Sequence, residues 1–396
     1  MKFISIRLGK AIKVIQQDGL VAGVARGWGY LKKYLKTIFN FRSGQVLIVT
    51  GGVGDSANYR AYHVAEELNL HGIQTEVMIQ DNPFLPRFAD KFNVFIFHRT
   101  LVTPVVKKLI TRIKKQNKEI IFETDDLVFD TKYVHATEAY QKMGQLEKMQ
   151  YAKGVGEEIL KDPYVTTCTT TTTYLAKILE SYKKKVFLVP NKLSDNDLEI
   201  ADEILAAKET LTIKSQEIVR IGYFSGTMTH DRDFATVTEA LVTIMEKYPN
   251  VKLVLAGPLN TGDELNKFNN RIERLAFAPR KKHFKDKASV DINISPLELG
   301  DPFCESKSEI KFFGSGILNV PTVAVANQTF SEAIIDGVDG FLAKNTVEWV
   351  EKLSRLIESP ELRIKMGAAA RGKALQHYTN RNSENEDYYN YLRSKL

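Results

Sequence analysis

The sequence predicts an α/β protein made of two successive parallel-sheet domains. Short apolar runs alternate with helical patterns along most of the chain, which is the arrangement of βαβ units. Several runs end in a glycine turn or an acidic pair, as expected where parallel strands meet a ligand-binding edge. The length of 396 residues suits about two domains. We therefore expect two Rossmann-like domains facing across a cleft, preceded by a helical arm.

The composition excludes several classes of protein. The chain lacks an apolar run of about eighteen residues and a secretory signal pattern, so neither a membrane-spanning helix nor export is expected. Cys168 and Cys304 lie far apart in the sequence, which suggests neither a disulfide framework nor a metal-ligand spacing. We expect a cytoplasmic protein without a resident metal ion or cofactor.

Residues 1–44 are predicted to form a basic amphipathic helical arm. They carry a charge of +8 in a chain whose total is +7, so the basic character does not belong to a nucleic-acid-binding body. From Leu20 to Ile38 the apolar residues fall on one side of a helix and the basic residues on the other. We expect this arm to contact an anionic membrane surface. The alternative is a helix that packs on the protein's own body.

Residues 45–192 are predicted to form the first domain. A strand at Gln45–Thr50, a glycine turn, a helix from Ser56 and a strand at Thr75–Ile79 make one βαβ unit. This arrangement places the glycine turn at the carboxyl edge of a parallel sheet. The glycines do not match the dinucleotide fingerprint, and no acid ends the second strand. The sequence therefore gives little support to a nicotinamide-binding function.

An acidic pair follows another strand of this domain. The predicted strands Val94–Phe97 and Glu119–Phe122 flank a helix, and the second strand runs directly into Glu123-Thr124-Asp125-Asp126. Carboxylates at this end of a parallel strand point towards the ligand-binding edge. We predict a role in the site for Asp125 or Asp126, the alternative being an N-cap of the next helix.

The remaining elements follow the same alternation. A helical stretch at 136–160, a strand at 164–167, a threonine-capped helix at 174–179 and a strand at 186–190 complete the first domain. A charged linker is predicted at 193–217, and a second domain at 218–375. Its predicted strands are 219–224, 252–256, 292–294 and 322–325, with a tight turn at Ser225-Gly226-Thr227. Residues 376–396 are expected to form a C-terminal helix that returns to the first domain.

The stretch Pro302–Pro321 contains two lysines four residues apart. On one helix, Lys307 and Lys311 would share a face in the first turns, where positive charge opposes the helix dipole. A bound anion would explain them, since free backbone N–H groups and both ammonium groups could hold it. The alternative is a solvated basic face on a helix weakened by Gly314 and Gly316.

Five separated segments resemble GT-B glycosyltransferases of the retaining family 4, in a bacterial cell-surface polysaccharide branch. They are SANYRAYHVAEEL (56–68), FETDDLVFD (122–130), GYFSGTMTHDRDF (222–234), KSEIKFFGSGILNVPTVAV (307–325) and EAIIDGVDGFLA (332–343), and the resemblance covers about 45–375. It implies a GT-B fold, a nucleotide-sugar donor on the second domain, a glycan acceptor on the first, and retention of configuration.

The resemblance also implies roles for individual residues. The donor-binding residues would be Ser225, Gly226, Thr227, Arg280, Lys307, Lys311 and Glu332, with Lys311 neutralising the diphosphate. His230, Asp125 and Asp126 would take part in catalysis, and the acceptor would bind near Gly52, Gly54, Asp55, Tyr59 and Arg60. For Arg280 a solvated basic turn is an equal alternative, and for His230 the alternative is a cap or turn.

One position departs from the family pattern. The family has a glutamate that binds the nucleotide ribose about seven residues before the proline that aligns with Pro321, and this chain has Gly314 there. Either the ribose is held differently, as for a deoxyribose donor, or donor binding is impaired.

These observations predict a metal-independent hexosyl- or deoxyhexosyltransferase at the cytoplasmic face of the membrane, acting on a lipid-linked glycan. A catalytically inactive partner subunit of another transferase is the alternative, because of Gly314. A third hypothesis, a sugar-nucleotide epimerase or hydrolase, does not explain the arm.

Overall fold

The computed structural model describes residues 42–52, 54–135, 138–141, 144, 145, 148, 153–209, 218–225, 231–276 and 278–396. Almost all of the predicted arm therefore lies outside the described residues, as do Gly226, Thr227 and His230. The chain divides into two compact units. The first is formed by the residues up to Lys192 together with Ser383–Leu396, and the second by Leu193–Asn382.

The first unit is built on a six-stranded parallel sheet in the order β2-β1-β3-β4-β5-β6. Its strands are β1 (Val46–Thr50), β2 (Thr75–Ile79), β3 (Val94–His98), β4 (Glu119–Thr124), β5 (Thr167–Thr170) and β6 (Lys185–Leu188). The central strands β1 and β3 are buried along their whole length. Continuous apolar runs are expected of such strands, because helices cover both faces of a parallel sheet.

The helices of the first unit are α1 (Asp55–Ala57), α2 (Val64–Leu70), α3 (Pro104–Lys115), α4 (Thr131–Val134), α5 (Glu138–Gln141), α6 (Glu157–Leu160) and α7 (Thr173–Glu180). A π-helical segment, Asn58–His63, joins α1 to α2. The predicted threonine cap of α7 is confirmed, since the Thr172 side chain accepts a hydrogen bond from the Leu175 backbone N–H.

The second unit repeats this plan with the sheet order β12-β11-β10-β7-β8-β9. Its strands are β7 (Val219–Phe224), β8 (Val251–Ala256), β9 (Ile272–Leu275), β10 (Ile292–Ser295), β11 (Thr322–Val325) and β12 (Phe341–Ala343). Its helices are α8 (Asp195–Glu209), α9 (Asp231–Lys247), α10 (Arg280–Ala288), α11 (Pro302–Glu305), α12 (Ile310–Gly316), α13 (Gln328–Ala333), α14 (Thr346–Glu358) and α15 (Pro360–His377). Every strand pairing in both sheets is parallel.

The expected single helix through the two lysines is wrong. Lys307 lies between α11 and α12, so it does not share a helix face with Lys311. The first helix stops because the Lys307 backbone N–H closes a tight turn on the Cys304 carbonyl, while the Ser306 hydroxyl donates to the Phe303 carbonyl. Serine favours such local hydrogen bonds over a continuing helix.

Other elements were not predicted, namely β9, β12, α10, α11, α13, α14 and α15, and the charged stretch assigned as a linker contains α8. The C-terminal helix α16 (Glu386–Arg393) belongs to the first unit. Tyr388, Tyr389 and Leu392 pack into the core cluster of that unit, and the Tyr389 hydroxyl donates to Glu67 Oε1 at 2.5 Å. In the described part of the chain, none of the helices has the length and hydropathy needed to cross a membrane.

Candidate active site

The carboxyl ends of β1, β3 and β4 bring a polar cluster together in the first unit. His98 lies with Nδ1 2.9 Å from Thr50 Oγ1 and with Nε2 3.2 Å from Ser56 Oγ. The Ser56 hydroxyl donates to Asp125 Oδ2 at 2.9 Å. Because Ser56 and Asp125 both lie on the Nε2 side of the ring, this is not the relay of a serine hydrolase, in which the acid and the serine occupy opposite nitrogens.

Arg99 completes this cluster from an unusual backbone conformation. Its φ is +44°, in the left-handed region that side chains rarely adopt. Its guanidinium donates from Nε to Asp125 Oδ1 at 2.5 Å and from one terminal nitrogen to Asp126 Oδ2 at 3.3 Å. A side chain at Gly51 would place Cβ 1.9 Å from the Arg99 carbonyl oxygen, so only glycine allows this approach.

The two aspartates of the pair differ in role. Burial alone would raise the pKa of Asp125, but Arg99, His98 and Arg60 hold that pKa well below its usual range. Such a carboxylate is a permanent anion at neutral pH and a poor proton acceptor, so it suits charge stabilisation and hydrogen bonding better than general-base catalysis. Asp126 caps the next turn, as its carboxylate accepts from the Leu127 backbone N–H.

The residues predicted to bind an acceptor fall into two groups. Gly52, Gly54 and Asp55 lie at the sheet edge, where Gly54 and Asp55 are exposed. Tyr59 is buried, and its ring packs edge-on against the ring of His63 with 4.9 Å between the two centroids. Arg60 is only 1% exposed, and its guanidinium donates to both Glu123 oxygens, at 2.7 and 3.0 Å, and to the Val189 carbonyl. The structure thus gives Arg60 a core-stabilising role.

Lys311 is the notable cation of the second unit. Its ammonium is buried and finds no hydrogen-bond acceptor among the residues that the structure describes. It lies 4.3 Å from the centroid of the Tyr223 ring, a cation–π contact. Burial and, to a lesser extent, the charge of Lys307 lower the pKa of Lys311 to about 8, although Asp233 opposes them.

Further polar atoms lack partners near the ends of neighbouring strands. The Tyr223 hydroxyl on β7 and the Ser295 hydroxyl on β10 are buried without a hydrogen-bond partner within the described part of the chain. Nearby, the Cys304 thiol donates to Asp233 at 3.0 Å, and burial followed by Asp233 raises the pKa of this thiol well above its usual range. Buried polar atoms are nearly always paired, so each of these unpaired hydroxyls calls for a partner from outside the described residues.

The other predicted donor-binding residues are placed as follows. Ser225 is buried at the end of β7, and its backbone N–H donates to the Ala256 carbonyl. Arg280 opens helix α10 and pairs with the buried Asp197, one of its bonds being 2.6 Å long. Glu332 is exposed on α13 and accepts from Gln328. Arg280 therefore lies in a helix and not in a solvated turn, and its charge is paired with Asp197.

Gly314, the departure from the family pattern, lies on α12 beside a second lysine. A Cβ at this position would have Lys287 Nζ at 3.2 Å as its one neighbour within 4 Å. Lys287 is itself buried on α10. An ammonium group thus lies next to the position where the resemblance implies a carboxylate.

Sequence reasoning missed Ser56, His98 and Arg99 as members of the first-unit cluster. The signal was present for the last two, because the apolar run of β3 ends directly in His98-Arg99. The edge rule that selected Asp125 applies equally to them. No group of three or more His, Cys, Asp or Glu among the described residues could hold a metal ion.

No family model and no curated protein matches the chain. Solved structures do match. A glycosyltransferase from Rickettsia africae has a TM-score of 0.61 at 13% identity, covering 90% of this chain and 100% of that one. Anabaena HepE in complex with UDP and glucose has a TM-score of 0.59 at 12% identity, covering 89% and 100%. Sucrose-phosphate synthase from Thermosynechococcus elongatus has a TM-score of 0.57 at 13% identity, covering 89% of this chain and 100% of that one.

This chain has the GT-B fold. The two six-stranded parallel sheets and the coverage of whole GT-B structures establish it together. At 11–13% identity the likeness concerns the fold, and fold alone does not fix the reaction of a GT-B protein.

Proposed function

We propose that this GT-B protein is a glycosyltransferase that moves a sugar from a nucleoside-diphosphate sugar to a glycan. The observation that carries the proposal is the buried ammonium of Lys311, for which none of the described residues supplies a hydrogen-bond acceptor. HepE, one of the similar structures, is described in complex with UDP and with UDP-glucose. A similar donor on the second unit would give Lys311 an anionic partner.

The energetics favour an anionic ligand at Lys311. An unpaired buried charge costs several kcal/mol, on the order of the penalty for removing an ion from water. A diphosphate oxygen would offset that cost through a charge-assisted hydrogen bond. As the glycosidic bond to the leaving diphosphate breaks, negative charge grows on those oxygens, so Lys311 would bind the transition state more strongly than the ground state.

The first unit would supply the acceptor side. The cluster of Ser56, His98, Arg99 and Asp125 offers hydroxyl, imidazole, guanidinium and carboxylate groups at one sheet edge. These groups can orient an acceptor hydroxyl and stabilise charge near it. Asp126 and His230, predicted as catalytic, and Gly52, Gly54, Asp55 and Tyr59 remain predictions for this step.

The finer features of the proposal rest on the sequence. Retention of configuration and a hexosyl or deoxyhexosyl donor follow from the resemblance to family 4. A lipid-linked acceptor and a position at the inner face of the cytoplasmic membrane follow from the basic arm 1–44. Metal independence is part of the proposal because the sequence has no evident metal-binding cluster, so that cations such as Lys311 and Lys307 would stabilise the diphosphate.

A thermal-shift screen against UDP, GDP, dTDP and ADP, with and without magnesium, tests the donor site. We expect one nucleotide to raise the melting temperature without magnesium and to lose this effect in Lys311→Met. A preference for dTDP would also account for Gly314. Lys352→Met is the matched control, since Lys352 also lies over an aromatic ring, Nζ 5.0 Å from the Phe341 centroid, but pairs with Asp336.

Activity is then tested by incubating the protein with glycan acceptors and with nucleoside-diphosphate sugars that carry the stabilising nucleotide. Release of the nucleoside diphosphate is the measurement. Release that depends on acceptor supports transfer, whereas release without acceptor would indicate a hydrolase. If no nucleotide shifts the melting temperature, the donor-site proposal is wrong and an inactive partner subunit becomes the better account.

A further inference from the structure

An open groove on the first unit is lined by three tyrosines that the donor and acceptor machinery does not use. The tyrosine groove is formed by Tyr133, Tyr174 and Tyr182, with Asp130, Lys132 and Lys177 around them, and encloses about 490 Å³. This volume falls within the range of roughly 300–1,000 Å³ that is typical of ligand sites. All three tyrosines are partly exposed.

The groove is held in a defined shape. The Tyr182 hydroxyl donates to Asp130 Oδ2 at 3.1 Å, and the Tyr182 ring packs edge-on against Phe129 with 6.2 Å between centroids. Asp130 Oδ1 accepts from the Lys132 backbone N–H at 2.9 Å, which fixes the carboxylate from the other side. A preformed site costs less conformational entropy on binding than one that must be ordered.

One end of the groove lies on the side of the sheet edge where the acceptor is proposed to bind. Tyr174 lies in the first turn of α7, which follows the carboxyl end of β5, and β5 pairs with β4. Asp130 is only four residues after Asp126, so their Cα atoms are at most about 14 Å apart. Tyr182 lies just beyond the other end of α7, an eight-residue helix about 12 Å long. The groove therefore extends from the sheet edge along α7 for about 12 Å.

A neighbouring cavity of the first unit differs from the tyrosine groove in the residues that line it. It has the same volume, about 490 Å³, but the structure shows no aromatic ring in its lining of Thr131, Lys153, Glu157, Glu158, Lys161 and Asp162. Its charges are used in ion pairs, Lys153 with Glu158 and Lys161 with Glu157, and Asp162 pairs with Lys114. The tyrosine groove differs by offering flat aromatic faces beside polar groups.

We propose that the tyrosine groove is an accessory binding site for a chain of hexopyranose sugars, which holds the acceptor glycan behind its reacting end. The apolar faces of such sugars stack on tyrosine rings, while their hydroxyls bond to carboxylate and ammonium groups of the kind that Asp130, Lys132 and Lys177 supply. The charged groups of the lining include both signs, Asp130 against Lys132 and Lys177, so the tyrosine rings and not the charge identify the ligand class. The inference rests on the proposed function for the identity of its ligand.

The test is saturation-transfer NMR on the full chain without nucleotide, using maltohexaose, cellohexaose and chitohexaose as probes. We expect transfer to the ring protons of at least one probe. Tyr174→Ala should weaken that binding about ten-fold, and Tyr174→Phe should retain it within about two-fold, because the ring and not the hydroxyl makes the stacking contact. If Tyr174→Ala does not fold, Tyr133→Ala replaces it.

The matched control is Tyr248→Ala on the second unit. Tyr248 is partly exposed and has Lys247 Nζ 4.7 Å from its ring centroid, much as Tyr133 has Lys132 Nζ at 5.4 Å. Equal losses in Tyr174→Ala and Tyr248→Ala, or no transfer with any of the three probes, would overturn the proposal. Because no donor is present, this result is independent of the nucleotide screen, and either proposal can fail alone.

Discussion

Each of the two units buries a cation near the carboxyl edge of its sheet, and the two cations differ in their hydrogen-bond acceptors. In the first unit Arg60 donates to both oxygens of Glu123 and to the Val189 carbonyl. In the second unit the Lys311 ammonium meets only the face of Tyr223 and has no acceptor in the described part of the chain.

The difference separates structure from function. A buried charge with a full set of hydrogen bonds holds elements together, and for Arg60 these are the π-helical segment, β4 and the chain after β6. A buried charge without acceptors costs stability and persists only where it serves another purpose. The comparison predicts that removing the two cations has opposite effects on folding.

The largest expected effect is a loss of stability in Arg60→Met. The change leaves the Glu123 carboxylate buried and unpaired, so the free energy of unfolding should fall by about 3–5 kcal/mol. Urea denaturation measures it. The control is Arg42→Met, which removes an exposed pair with Glu76 at 3.4 Å and should change stability by less than about 0.5 kcal/mol. An equally small change in the free energy of unfolding of both variants would contradict a core-stabilising role for Arg60.

Lys311→Met should have the opposite sign. The apolar side chain fills similar space without an unpaired charge, so the nucleotide-free protein should become more stable by about 1–3 kcal/mol. Urea denaturation at pH 7 is again the measurement. A destabilised Lys311→Met would show that the ammonium has structural partners after all, and would weaken the contrast with Arg60.

The pH dependence sharpens this contrast. Burial lowers the pKa of Lys311 to about 8, from 10.5 in the unfolded chain, so between these values the unfolded state binds more protons. Stability therefore rises with pH in that window, by about 1 kcal/mol between pH 8 and 9. The penalty is fully present only well below pH 8, where Lys311 is protonated in both states. We expect the stability difference between wild type and Lys311→Met to shrink over this range, and a constant difference would contradict the shift.

A smaller effect than that of Arg60→Met is expected for Asp125→Asn. The pair of Asp125 with Arg99 is mostly buried, and a folded-state pKa held well below the unfolded value contributes about 1–2 kcal/mol. Because the folded-state pKa of Asp125 is lowered, this contribution exists above about pH 4 and is lost as the pH falls through the folded pKa. Urea denaturation of the variant and wild type should therefore differ at pH 7 and converge in acid. A difference that persists below the folded pKa would exclude this origin.

The sequence predicted the strands well and the side-chain pairs poorly. Strands such as β2, β7 and β11 were predicted at their observed limits, because apolar runs between turn residues are a local signal. The pairing of Arg60 with Glu123 and that of Arg280 with Asp197 join residues 63 and 83 positions apart. Such contacts are decided by tertiary packing, which no local pattern contains.

Within the candidate site the same division holds. Lys311 was selected because positive charge in the first turns of a helix opposes the helix dipole, and its ammonium is buried in the structure. Lys307 was wrongly placed on the same helix, since a serine turn interrupts the helical pattern. The close approach of Gly51 to Arg99 was invisible, because it depends on the distance between two loops at the sheet edge.

The most direct test of the central claim is calorimetric titration of the nucleotide selected by the screen, at pH 9, in two buffers of different ionisation enthalpy. If Lys311 holds the diphosphate, wild type should take up close to one proton on binding, as the anion restores the ammonium form. Lys352→Met should behave like wild type, and Lys311→Met should bind at least about ten-fold more weakly with no such uptake. Equal affinity and equal proton uptake in wild type and Lys311→Met would contradict the account.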